Sequence, residues 1–168
     1  MNTLGRVGGW AAILAGVLRA TASFVSLGSE VERQSLYFIV DLLLLLSVFA
    51  AYIQNHEALG RWGAAGFLTT VAGILLVRSS RAVPGLDLYP AGAISVAVGW
   101  VLLSLDWWRT ANGPAFVPVL FVLSVLTGLV GQIVLHAPAL FVASGMIFGA
   151  AMLGVGWQVL ARNHSDRA

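Results

Sequence analysis

The chain has 168 residues, of which 59% are hydrophobic and only 10% charged, with a net charge of +2 and a mean hydropathy of +0.91. A soluble domain carries about 25% charged residues, so this composition cannot cover a globule with water-compatible surface and points to lipid as the main solvent. All nine basic residues are Arg, scattered singly without the stripe that a nucleic acid needs; the missing Lys excludes a Schiff base, and the missing Cys excludes disulfides, thiolate metal sites and thiol nucleophiles.

At roughly 20 apolar residues per crossing, hydropathy divides residues 1–168 into six spans of one transmembrane domain. The fold class is all-α, a polytopic integral membrane bundle of six transmembrane helices. The first span is expected over about Val7–Leu27. Arg6, an apolar stretch and Ala20-Thr21-Ala22 imitate a cleavable signal peptide. Arg19 interrupts that apolar region, and the run continues through Phe24-Val25, so a retained helix is the better reading. The second span is expected over about Leu36–Ile53, after a charged turn at Gly28-Ser29-Glu30-Val31-Glu32-Arg33. The third covers about Gly63–Val77 and ends in a polar Pro-Gly turn that begins at Arg78. The fourth covers about Leu88–Trp108, the fifth about Phe116–Leu135 and the sixth about Ala139–Ala161, separated by Pro-marked turns. Runs such as Leu42–Leu46 do not alternate, which argues against a β-barrel.

Six spans put both termini on one side. Arg6, Arg61, Arg109, Arg162 and Arg167 lie there, against Arg33, Arg78 and Arg81 opposite. The excess predicts cytoplasmic termini, and a Lys-free chain rich in Arg and Ala suits a GC-rich bacterial genome, hence the expectation of a bacterial inner membrane. Trp10, Trp62, Trp107, Trp108 and Trp157 fall near the same side, as an interfacial belt would. Asp106-Trp107-Trp108-Arg109 reads as an interfacial anchor. Leu36-Tyr37, Leu88-Tyr89 and Leu140-Phe141 recur at a spacing of 52 residues and suggest three pseudo-repeated helical hairpins, all of one orientation.

The best candidate for chemistry is Arg19 with Asp41. From the expected helix ends they lie roughly 12 Å and 9 Å deep on neighbouring helices, at 1.5 Å per residue. An unpaired charge at mid-bilayer costs about 2.5–3.5 kcal/mol, so an ion pair is expected. Gly8, Ala12, Ala15, Arg19, Ala22 and Ser26 share one small-residue face, which aims Arg19 into the bundle. Tyr37 lies one turn from Asp41. Ser124, Gly128, Gln132 and His136 recur every four residues and would climb beside it to form an outward vestibule. The plainer reading makes Arg19–Asp41 a lock between helices and Gln132 the donor of one interhelical hydrogen bond. Gly145 and Gly149 form a GxxxG pair for close helix packing, within the bundle or against a second subunit.

His56, His136 and His164 are too dispersed to share a metal or haem, and no cofactor is expected. No nucleophile–base pair is present either, so an enzyme is not expected. Two functions remain. The first is a non-enzymatic accessory, scaffold or apolar-ligand and lipid-binding subunit, whose partners are the bilayer and a second copy or another membrane chain. The second is a small-solute or proton-coupled transporter, with Arg19 and Asp41 as an intramembrane site and Tyr37 and Gln132 lining the approach.

Overall fold

The computed structural model describes residues 3–22, 29–79, 87–110, 113–131 and 137–165, leaving aside the side chains of residues 138 and 163–165. Six helices run through them: α1 (Thr3–Ala22), α2 (Glu30–Asn55), α3 (Arg61–Ser79), α4 (Tyr89–Thr110), α5 (Phe116–Leu129) and α6 (Pro138–Ser165). No strand occurs among the described residues. The helices α2, α3, α4 and α6 are long and apolar enough to cross a membrane, and α5 is a shorter apolar helix. Large apolar side chains are exposed on all six, among them Leu14, Leu42, Leu68, Ile94, Val119 and Met146. A soluble monomer does not leave so much apolar surface to water, and the chain has the character of a membrane protein.

The helices outrun the expected boundaries where end signals were read as turns. Ser29 caps α2: its hydroxyl accepts from the Glu32 amide, and its own amide donates to the Glu32 carboxylate, each at 3.2 Å. This reciprocal capping box satisfies two amides left over at the first turn. Helix α2 therefore begins at Glu30, inside the stretch expected to be a charged turn. Helix α3 likewise runs on to Ser79 and takes in Arg78. Helix α5 is regular only to Leu129 and then widens into a π turn at Val130–Gly131. The expected extensions to Leu27 and Leu135 end outside the described residues.

Each helix packs on its chain neighbours, α6 closes on α1, and α2 touches α6 across the resulting ring. Two contacts in this ring bring glycine backbone against glycine backbone, while α1 also presses on α2 through Gly8 and Ala50. Along α1/α6, Gly16 faces Gly149 and Gly9 faces Gly156; along α3/α4, Gly66 faces Gly99 and Gly73 faces Gly92. A methyl group on Gly16 would lie 2.6 Å from the Gly149 carbonyl oxygen, and one on Gly149 would lie 2.5 Å from that of Gly16. Helix backbones meet here directly, which only glycine permits. The expected small face of α1 is borne out at Gly8, Ala12 and Ala15, which are buried, with Arg19 and Ala22 half-buried. Gly149 meets α1 inside the bundle, and Gly145 is buried on the same helix.

Aromatic rings fill the middle. Trp100 stacks on Phe121 at 5.4 Å, and Phe121 meets Phe148 edge-on at 5.3 Å, joining α4, α5 and α6. Trp107 belongs to this core and not to an interfacial anchor, since it is only 2% exposed. It lies seven residues after Trp100, two helical turns along the same face. Trp10, Trp62, Trp108 and Trp157 do stand exposed.

Gly99→Ala tests the α3/α4 seam. The new methyl group would sit 2.3 Å from the Thr70 hydroxyl and 2.7 Å from the Gly66 carbonyl. Alanine gains about 1 kcal/mol of helix propensity over glycine, but overpacking costs about 1–3 kcal/mol. We expect a lower unfolding midpoint in detergent; an unchanged midpoint would show that the seam yields.

Candidate functional site

Helices α1 and α3 both end beside the first part of α2, and each carries an Arg in its last turn, Arg19 and Arg78. A cation there faces the negative end of the helix dipole, which is worth about 0.3–1 kcal/mol. Asp41 lies on α2 between them. The direct partner of its carboxylate is Arg78, in an ion pair where the two side chains are 18% and 34% exposed respectively. Arg19 stands close enough for its charge to act on the same carboxylate. The expected Arg19–Asp41 pair is thus a three-residue cluster in which the contact is made from α3. Reading Arg78 as a loop residue hid this partner, because the extra turn of α3 is what carries it to α2. The Arg78 guanidinium also lies 5.2 Å from the centre of the Phe38 ring, a cation–π contact.

The cluster sits where α2 enters the bundle. From Glu30 to Ile39 that helix is exposed, apart from half-buried Leu36. Tyr37 belongs to this projecting part, one turn from Asp41, and is 38% exposed. Gln132 and His136 lie outside the described residues. On α5, Ser124 and Gly128 face α6. The Ser124 hydroxyl donates to the Ser144 carbonyl at 2.9 Å, and the Ser144 hydroxyl donates to the Ser124 carbonyl at 2.8 Å. These two residues of the expected vestibule hold α5 to α6.

The opposite end of the bundle holds a second polar group that sequence reasoning missed. Asp106 of α4, 7% exposed, accepts from the amides of Gly60 and Gly63 at 2.7 and 2.8 Å. It therefore caps the start of α3 from another helix. The unpaired amides at a helix start favour a carboxylate by hydrogen bonding and by the helix dipole. Beside it, Arg162 of α6 donates to the side chain of buried Asn55 at the end of α2 and lies 5.9 Å from the Trp107 ring centre. Asp106 lies three residues after buried Leu103, on the same face of α4, and no local pattern in the sequence ties it to the start of α3.

Among the described residues no group of three or more His, Asp or Glu is placed to hold a metal ion. His56 is exposed, and its Nδ1 lies 2.7 Å from the Ile53 carbonyl oxygen. A cavity of about 500 Å³ lies between α1 and α2. Val7, Trp10 and Leu14 line one wall and Leu43 and Leu46 the other, with Thr3 and Arg6 at one end. Three comparisons with known proteins find no matching family model, no matching curated protein and no matching solved structure.

Two outcomes check this geometry. Asp106→Ala leaves two helix-start amides without their carboxylate and should lower stability by about 2 kcal/mol, read from thermal unfolding in detergent. A double-mutant cycle should give Asp41 and Arg78 a coupling of about 1 kcal/mol, larger than that between Asp41 and Arg19; the reverse order would contradict the pairing.

Proposed function

We propose that the chain crosses a bacterial inner membrane six times, with both termini in the cytoplasm, and acts without catalysis as a lipid- or apolar-ligand-binding subunit. The apolar groove between α1 and α2 carries this reading. Its walls are aliphatic side chains and Trp10, and much of that surface, including Val7, Trp10, Leu14 and Leu46, is turned away from the bundle. In a bilayer such a groove opens sideways to the acyl chains. Arg6 and Thr3 stand at the end of α1 that would lie at the headgroups. The apolar part of a lipid gains little by leaving other lipid, so retention depends on shape fit and on contacts at the polar end.

The six-span assignment requires α1 and α5 to cross as well as the four longer helices. Helix α1 supports this by its close seam with α6 along both Gly9 and Gly16. Helix α5 supports it by packing beside α4 and α6 in the ring.

Native mass spectrometry after exhaustive detergent exchange tests the groove. The protein should retain phospholipid, and Leu14→Trp with Leu46→Trp should lower its occupancy several-fold without moving the unfolding midpoint. Equal occupancy in the filled variant would refute this reading.

A further inference from the structure

The glycines of the two close seams obey one numerical rule. Gly9, Gly16, Gly66 and Gly73 are each followed, 83 residues later, by Gly92, Gly99, Gly149 and Gly156. The same shift carries one seam onto the other. The contacts of Gly66 with Gly99 and Gly73 with Gly92 become those of Gly149 with Gly16 and Gly156 with Gly9. A Gly pair at a spacing of seven is common in any one apolar helix. Four matches at one offset, each making the contact that the offset demands, are not. The shift also takes α1 onto α4, α2 onto α5 and α3 onto α6. Neighbouring helices run antiparallel, so a unit of three helices and its copy point in opposite directions, as inverted repeats do.

We infer that α1–α3 and α4–α6 are two inverted copies of one three-helix unit, and that Arg19, Asp41 and Arg78, whose counterparts in the second copy are uncharged, form a binding site for an anionic oxygen group, a phosphate or carboxylate. The counterparts at the same shift are Leu102, Ser124 and Ala161. Helix α5 carries no charged residue at all, and it is fastened to α6 through Ser124 and Ser144. Arg162, one place beyond the counterpart of Arg78, is engaged with Asn55 of the first copy. The second copy therefore builds its three-helix packing without a charged cluster, so the charges of the first copy are not a requirement of the shared packing.

The chemistry of the cluster indicates what it would hold. Two guanidinium groups carry roughly ten N–H donors against about four acceptor sites on one carboxylate; Arg78 is in direct contact with it, and Arg19 acts on it through its charge. The excess is of donors and of positive charge. Arg78 remains 34% exposed, at the point where α2 leaves the bundle. Guanidinium pairs favour bidentate oxygen acceptors such as phosphate. The groove between α1 and α2 involves the other end of α1, so the two proposals stand or fall separately.

The test transplants the second copy's residues into the first. Wild type and the variant Arg19→Leu, Asp41→Ser, Arg78→Ala are purified in neutral detergent, and unfolding midpoints are read with and without inorganic phosphate. Both are also placed in nanodiscs of phosphatidylcholine alone and with phosphatidylglycerol. The triple variant should fold with a midpoint close to wild type, because removing all three charges strands none of them. Wild type should gain stability from phosphate or from the anionic lipid, and the triple variant should not, which also removes any general salt effect. Arg78→Gln should weaken the apparent affinity at least tenfold. A response to phosphate names a free anion as the ligand, and a response to phosphatidylglycerol alone names a headgroup. The inference is overturned if the triple variant fails to fold or loses much of its stability, since the cluster would then be a lock. It is equally overturned if wild type responds to neither anion, or if the triple variant responds as wild type does.

Discussion

Direct contact between helix backbones at the glycine seams is the constraint on which this bundle depends. Water does not drive helices together inside a bilayer, so association rests on packing and on the few polar contacts available. At Gly16 and Gly149, and again at Gly66 and Gly99, each carbonyl lies where the partner's side chain would begin. Seams of this closeness fix both the separation and the register of α1 against α6 and of α3 against α4. The α1/α2 joint is also tight where Gly8 meets Ala50, whereas the joints filled by Phe67, Phe121 and Phe148 rest on side chains that can adjust.

Polar groups are disposed to leave the seams dry. Buried Thr70 and Ser47 return their hydroxyls to carbonyls of their own helices, which satisfies them without a partner helix. Charged groups are kept near the two ends. Asp106 meets helix-start amides at one end, and Asp41 meets Arg78 at the other. Both carboxylates thus face a positive end or a cation, the arrangement that makes a charge tolerable where water is scarce.

Much of this was legible in the sequence. Hydropathy placed all six helices, and the small-residue spacing of α1 matches a face buried at Gly8, Ala12 and Ala15. Two kinds of information were not accessible to a hydropathy profile. Helix ends depend on local capping, so Glu30 and Arg78 were read as loop residues, although Ser29 and Glu32 carry the capping-box spacing. The second kind is long-range register. Asp106 reaches the start of α3 only through the α3/α4 seam, and Arg78 reaches Asp41 only because α3 is a turn longer than its apolar stretch. The seam glycines stand seven residues apart, Gly149 and Gly156 among them, an interval wider than the GxxxG of Gly145 and Gly149. The resemblance among hairpin starts at a spacing of 52 residues has no counterpart in the closest helix contacts, one of which joins the first helix to the last.

The length of α2 has a consequence for its polar start. With 26 residues, α2 is about 39 Å long at 1.5 Å per residue. A hydrocarbon layer is about 30 Å thick, so a spanning α2 would carry about 9 Å, roughly six residues, into the headgroup region. The first residues of the helix include Glu30, Glu32, Arg33 and Gln34 and are suited to that place. There the ion pair of Arg33 with Glu30 would sit among lipid phosphates and mobile ions, so this end of the helix would respond to the charge and salt of the membrane surface.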